Sequence, residues 1–210
     1  MNLATAAGEG TTNVGLGTAG AKVSGSLDWL WARLQGDPSP RVLDCGPVRE
    51  STVDVLVGRG SKLYVADLLS LASRSDANLW DRTGKVPVFR TERLLSELPA
   101  IPLGSLSIVF GWQLLDLLPR ETLAHVVQRM VSYLEPGGAL FFILREACLT
   151  NGADTVWCLE TLTKLGTRAV GEKPFPYPPL SNREMERLVP TGVVKTVLTR
   201  SGLREVLAVT

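Results

Sequence analysis

The chain has 210 residues, 45% hydrophobic and 20% charged, which suits one domain with a substantial core and is too short for two ordinary ones. Lys and Arg number 22 against 21 for Asp and Glu, a net charge of +1, so electrostatics gives no reason to expect a nucleic acid or an anionic membrane as partner. The three cysteines, Cys45, Cys148 and Cys158, are scattered without a CxxC pair and read as reduced thiols of a cytoplasmic protein, not as a disulfide frame or a zinc site.

Residues 1–21 are rich in Gly, Ala and Thr and lack the basic head and apolar run of a secretory signal; too little apolar surface is available to offset ordering, so a flexible arm is expected. It contains a literal GxGxxG, Gly15 to Gly20, but no strand-like run precedes it, and the dinucleotide mechanism needs one. Leu27, Leu30, Trp31 and Leu34 form a helical face with Ser24 or Ser26 as N-cap. Residues 41–45 then read as a short buried strand. Val53, Leu56 and Val57 mark a helix stopping near Gly58 and Gly60, and residues 62–66 form a second strand ending at Asp67.

Residues 68–80 are expected to be helical, 86–90 a third strand, and 92–98 a short helix capped by Thr91. A fourth, fully apolar strand covers 106–110. Pro119 opens a helix reaching Leu134 whose buried stripe is Leu123, Val126, Val127, Met130 and Leu134. His125, the single histidine, falls off that stripe, which argues against a Ser-His-Asp triad or a His-rich metal site. After the turn 135–138 comes a fifth strand, 139–144. Val156, Leu159, Leu162 and Leu165 predict a helix over 150–170, followed by a stiff proline-rich loop at 173–179. A helix over 181–188 and a closing antiparallel hairpin, 193–198 with 203–209, complete the chain.

Strand and helix alternate with nearly continuous apolar strands, which predicts an α/β fold with a mostly parallel sheet covered by helices on both faces. A ligand crevice is expected outside the carboxyl ends of its first strands. No stretch approaches the ~20 apolar residues that cross a bilayer.

Five βα units followed by a helix and a terminal hairpin resemble the order of class I S-adenosylmethionine (SAM) methyltransferases, over about residues 38–210. RVLDCGPVRE, 41–50, resembles that family's glycine loop; KLYVADL, 62–68, the strand whose terminal acidic residue holds the cofactor ribose; and LEPGGALFF, 134–142, the turn before its fifth strand. The resemblance implies a Rossmann-like domain over 22–210 and a cofactor site at Asp44, Cys45, Gly46, Pro47, Asp67, Leu68, Thr91, Glu92, Gly111 and Trp112. Trp112 reads either as a stacking wall for a ligand or as a hydrophobe capping the sheet edge.

The chain departs from the family where Val48 and Glu50 replace the second and third loop glycines. Pro47 removes a backbone donor, and the β-branched Val48 is expected to resist positive φ and to fill space where the methionine end of SAM approaches. Two functions follow: a SAM-dependent methyltransferase acting on a small molecule, with 173–179 and the region of Trp157 over the acceptor, or a non-catalytic scaffold that binds a protein partner. A mean hydropathy of +0.15 permits a homo- or hetero-oligomer. Asp116, Glu146 and Tyr177 are the candidate general bases, and Cys45 reads as packing.

Overall fold

The computed structural model describes residues 21–73, 77–146, 151–190, 192–199 and 202–210. Residues 1–20 of the expected arm, with the GxGxxG, and Cys148 lie outside them. The chain begins with β1 (Lys22–Val23) and α1 (Gly25–Arg33), then β2 (Arg41–Asp44), α2 (Glu50–Gly58), β3 (Lys62–Val65) and α3 (Leu68–Ser73). A short ribbon, β4 (Trp80–Asp81) and β5 (Val88–Phe89), precedes α4 (Thr91–Leu95), β6 (Leu106–Trp112), α5 (Arg120–Tyr133) and β7 (Leu134–Arg145). A hairpin, β8 (Asn151–Thr161) and β9 (Lys164–Pro174), leads to α6 (Asn182–Leu188), β10 (Val193–Leu198) and β11 (Leu203–Val209).

Six strands form the main sheet in the order β10-β11-β7-β6-β2-β3. The strands from β3 to β7 are parallel, and β11 and β10 add antiparallel at the far edge. Every residue of β6 is buried, as expected of a central strand covered on both faces. The caps follow local chemistry. Ser24 Oγ accepts the Leu27 amide at 3.0 Å, and Ser181 and Glu184 form a reciprocal capping box on α6. The buried stripe of α5 holds the expected Leu123, Val126, Val127 and Met130, joined by Thr122 and Tyr133, while Leu134 opens β7; His125 is exposed.

Two expected elements are replaced. The expected third strand, 86–90, shrinks to β5, which pairs with β4 outside the main sheet. Val86 and Val88 stay 72% and 61% exposed, so the segment offers one buried side chain, Phe89, set edge-on against Trp80 at 5.2 Å. Among the described residues of 68–80, α3 is α-helical and Ala77–Leu79 forms a single 3-10 turn before β4. The expected helix at 150–170 is the β8–β9 hairpin, extended to a third strand by β1. The spacing of Val156, Leu159, Leu162 and Leu165 fits a helix, but a period of two decides the outcome: Trp157 and Leu159 are buried, while Val156 and Cys158 between and before them are half-buried. The hairpin packs on α2, where the Leu159 amide donates to Thr52 Oγ1 at 3.0 Å.

The sheet leaves no slack where β6 passes β7. A Cβ on Gly111 would lie 2.0 Å from Phe142 Cε1, and Phe142 is fully buried. Gly111→Ala is therefore expected to cost about 2 kcal/mol or more in urea unfolding, as overpacking does; a loss within about 0.5 kcal/mol would contradict this close approach.

Candidate functional site

The chain leaving β2 folds back on its own last side chain. Asp44 is 3% exposed, and its Oδ1 accepts the Gly46 amide at 2.8 Å and the Trp112 indole N–H at 2.6 Å. Burial pushes the Asp44 carboxyl up from its usual value; the bonds from Trp112 and Gly46 pull it back, and the Asp67 charge adds to the rise. The indole lies directly on the loop: a Cβ on Gly46 would meet Trp112 Cδ1 and Nε1 at 2.8 Å. Glycine is needed here for close approach, since the φ of Gly46 is not positive. Trp112 itself has φ +49, a left-handed conformation costing a bulky residue roughly 1–2 kcal/mol. Stacking on Phe110 at 5.3 Å, an edge contact with Phe141 at 6.2 Å and the bond to a buried carboxylate offset that strain.

Val48 does not fill the loop. It is 66% exposed and free of positive φ, and the space expected to hold it is taken by Trp112, which is 1% exposed. Pro47 is half-buried at the rim. Cys45 is fully buried; its amide donates to Phe110 O and its carbonyl accepts from Leu69. Burial pushes its thiol well above the usual range, which suits packing and not nucleophilic attack. Asp67 is exposed just past β3, where Oδ1 accepts the Ser70 amide at 2.9 Å and caps α3. Leu68 is core, with its amide turned to Ala66 O at 2.6 Å. Thr91 is the first residue of α4 and not its cap, a place held by Arg90. Thr91 and Glu92 follow the small ribbon and not a main-sheet strand, so the structure does not bring them to the Asp44 loop through the sheet.

The chain continues from Trp112 into a second cluster. Gln113 Oε1 accepts the Trp157 indole N–H at 3.0 Å, which ties the β8–β9 hairpin over this end of β6. One turn later, Asp116 is 2% exposed and its Oδ2 accepts the Arg145 amide at 2.9 Å. Burial pushes the Asp116 carboxyl up to about 6; the Arg145 amide and the charges of Arg145, Arg204 and Arg120 hold it from rising further. The Arg145 guanidinium lies over the Phe175 ring at 4.3 Å and donates to the Tyr177 carbonyl. Arg120 reaches the carbonyls of Pro178 and Pro179 at 3.0 and 2.7 Å. Arg204, 5% exposed, pairs with Glu146 at 3.3 Å.

Asp116 and Glu146 thus meet the arginines where β7 ends and β11 begins, while of Tyr177 it is the backbone carbonyl that meets Arg145. Asp116 is the one with a raised carboxyl and an unpartnered oxygen, Oδ1. Glu146 is engaged by Arg204, and the Tyr177 phenol is pushed up by burial and by Glu121. Arg145 and Arg204 escape a reading of the sequence by periodicity. Their signal is a charge inside an apolar strand, in FFILRE and GLREVLAV. Among the described residues, no group of three or more His, Cys, Asp or Glu side chains is placed to hold a metal ion, and no helix is long and apolar enough to cross a membrane.

No family model matches the sequence, and no curated protein does. Solved structures do resemble the fold. A Sulfolobus solfataricus protein assigned to the type 11 methyltransferases superposes with a TM-score of 0.50 at 14% identity, over 89% of this chain and 92% of its own. A Burkholderia thailandensis 1,6-didemethyltoxoflavin N1-methyltransferase, solved with bound 1,6-didemethyltoxoflavin and S-adenosylhomocysteine, gives 0.49 at 16% identity over 88% and 76%. A SAM-dependent methyltransferase from Archaeoglobus fulgidus gives 0.49 at 12% identity over 88% and 94%. The chain has the class I methyltransferase fold.

The raised Asp116 carboxyl has a measurable signature. Its folded value of about 6 lies above the unfolded one near 3.8, so between those values the native state holds more protons than the unfolded state. Stability is then fully supported below about pH 4 and falls as pH rises towards 6. Relative to Asp116→Asn, the wild type is expected to lose about 2–3 kcal/mol between pH 4 and pH 7 in urea unfolding. A difference that does not change with pH would refute the assignment.

Proposed function

We propose that the chain binds SAM at the carboxyl ends of β2 and β3 and transfers methyl groups to a small-molecule acceptor. One observation carries this reading: within the class I methyltransferase fold, Asp67 presents an exposed carboxylate just past β3, beside the Asp44–Gly46 loop. An ionised carboxylate only accepts hydrogen bonds. With Oδ1 capping α3, Oδ2 is the oxygen that suits vicinal ribose hydroxyls.

The residues fit the two ends of this cofactor unequally. The ribose end has Asp67. At the loop, the close approach that Gly46 allows is already used by Trp112, so a methionine moiety reaches the loop only after the indole turns out. Bound SAM supplies a methyl group on a cationic sulfonium, and the carboxylates of Asp44 and Asp67 favour positive charge nearby. In this reading Asp116 Oδ1 takes up the proton that an acceptor hydroxyl or amine releases; the oxygen is unpartnered, and a carboxyl near 6 is largely ionised at neutral pH.

The buried Trp112 also favours a second reading, in which the loop is permanently filled and the fold serves as a scaffold for a protein partner. Titration calorimetry with SAM, and with S-adenosylhomocysteine, separates the two. Micromolar binding supports the first reading, whereas a folded, ligand-free sample that takes up no SAM at millimolar concentration leaves the second. Asp67→Ala is expected to weaken binding roughly 5- to 150-fold, the loss of one or two charge-assisted hydrogen bonds; unchanged affinity removes Asp67 from the site. Trp112→Phe keeps an aromatic ring in the stack and breaks the bond to Asp44. It is expected to tighten SAM binding several-fold, and no gain would mean that the indole does not oppose entry.

A further inference from the structure

Arg204 is nearly inaccessible, yet only one of its nitrogens is engaged. Nη1 donates to Glu146 Oε1 at 3.3 Å, while Nε and Nη2 are buried without partners. These two atoms form one edge of the guanidinium, with parallel N–H groups spaced to grip two oxygens of a carboxylate or phosphate. A buried donor left unpaired carries its full desolvation penalty, and here two stand side by side. Asp116, which feels the Arg204 charge, has its own buried and unpartnered oxygen, Oδ1. A paired donor edge and a lone acceptor at one place call for a ligand that carries an oxyanion together with a hydroxyl or amine hydrogen.

We propose that the Arg204–Asp116 cluster is the acceptor site, and that the acceptor is a small oxyanion-bearing molecule whose hydroxyl or amine meets Asp116. The oxyanion lies along the Nε–Nη2 edge of Arg204. Phe175 lies over the neighbouring Arg145, whose guanidinium also donates to the Tyr177 carbonyl, so the proline-rich loop stands at the same end of β7. The assignment of this ligand as methyl acceptor rests on the reading above; its binding does not.

The test uses the full chain and calorimetry with benzoate, phenyl phosphate and phenol at neutral pH, with SAM titrated into the same samples. At least one of the two anions is expected to bind about tenfold or more tightly than phenol, and the better of the two tells carboxylate from phosphate. Arg204→Gln is expected to bring the anion to within about twofold of phenol while SAM affinity stays unchanged. If that variant does not fold, Arg204→Lys decides: the ammonium keeps the charge but lacks the two-donor edge, and most of the preference should go. The proposal is overturned if neither anion outbinds phenol, or if the preference survives both substitutions. Anion binding without SAM binding counts against the methyltransferase reading and leaves the site standing; SAM binding without anion binding does the reverse.

Discussion

The Asp44 carboxylate joins two strand ends that would otherwise part. By accepting the Gly46 amide and the Trp112 indole on one oxygen, it fixes both the return of the chain after β2 and the direction in which β6 releases its last residue. In a site buried this far from water such bonds are strong, because neither partner has an alternative. The left-handed backbone at Trp112 is one consequence, and the requirement for glycine at 46 is another.

The geometry beyond β6 follows from that knot. With Trp112 turned inward, Gln113 faces the hairpin and receives the Trp157 indole, and the next turn sets Asp116, through its amide to Gln113 O at 3.1 Å, against the end of β7. The register of β11 on β7 pairs Leu203 with Arg145 and Arg204 with Leu144, so the two arginines leave opposite faces of the sheet, and both charges act on Asp116 at the end of β7. Successive residues of a strand point to opposite faces: Arg204 joins Asp116, whereas Glu205 takes the Ser24 hydroxyl at 2.6 Å by the start of α1. One strand thus anchors a helix on one side and shapes a polar cluster on the other. Few buried charges are tolerated in a core without a partner, and this cluster holds an arginine edge and a carboxylate oxygen that have none.

The methyltransferase fold and the cluster complement each other in position. The Asp44 loop and Asp67 sit at the ends of β2 and β3, the arginines at the end of β7 and the start of β11, and Trp112 with Gln113 stands at the end of β6. The β8–β9 hairpin, bonded to Thr52 on α2 and to Gln113 on β6, braces both. The residue that fills the loop is therefore also the one whose position the second cluster depends on.

The sequence by itself determined the six strands of the main sheet, α5 with most of its buried stripe, a serine cap on α1 and the closing hairpin, because each is set by local periodicity and by residues within a few positions of one another; the third strand it also predicted lies outside that sheet. It also marked Asp44, Gly46 and Asp67, whose places follow from the strands they end. Tertiary structure alone decided the rest. Trp157 and Leu159 became strand residues because a face of α2 and Gln113 were there to receive them, a contact across more than 40 residues that a helical spacing cannot reveal. Val48 turned outward because Trp112, 64 positions away from it by number, already occupied the loop. Arg204 met Asp116 only when β11 closed against β7, since strand pairing, and no local signal, chooses which charges are buried together.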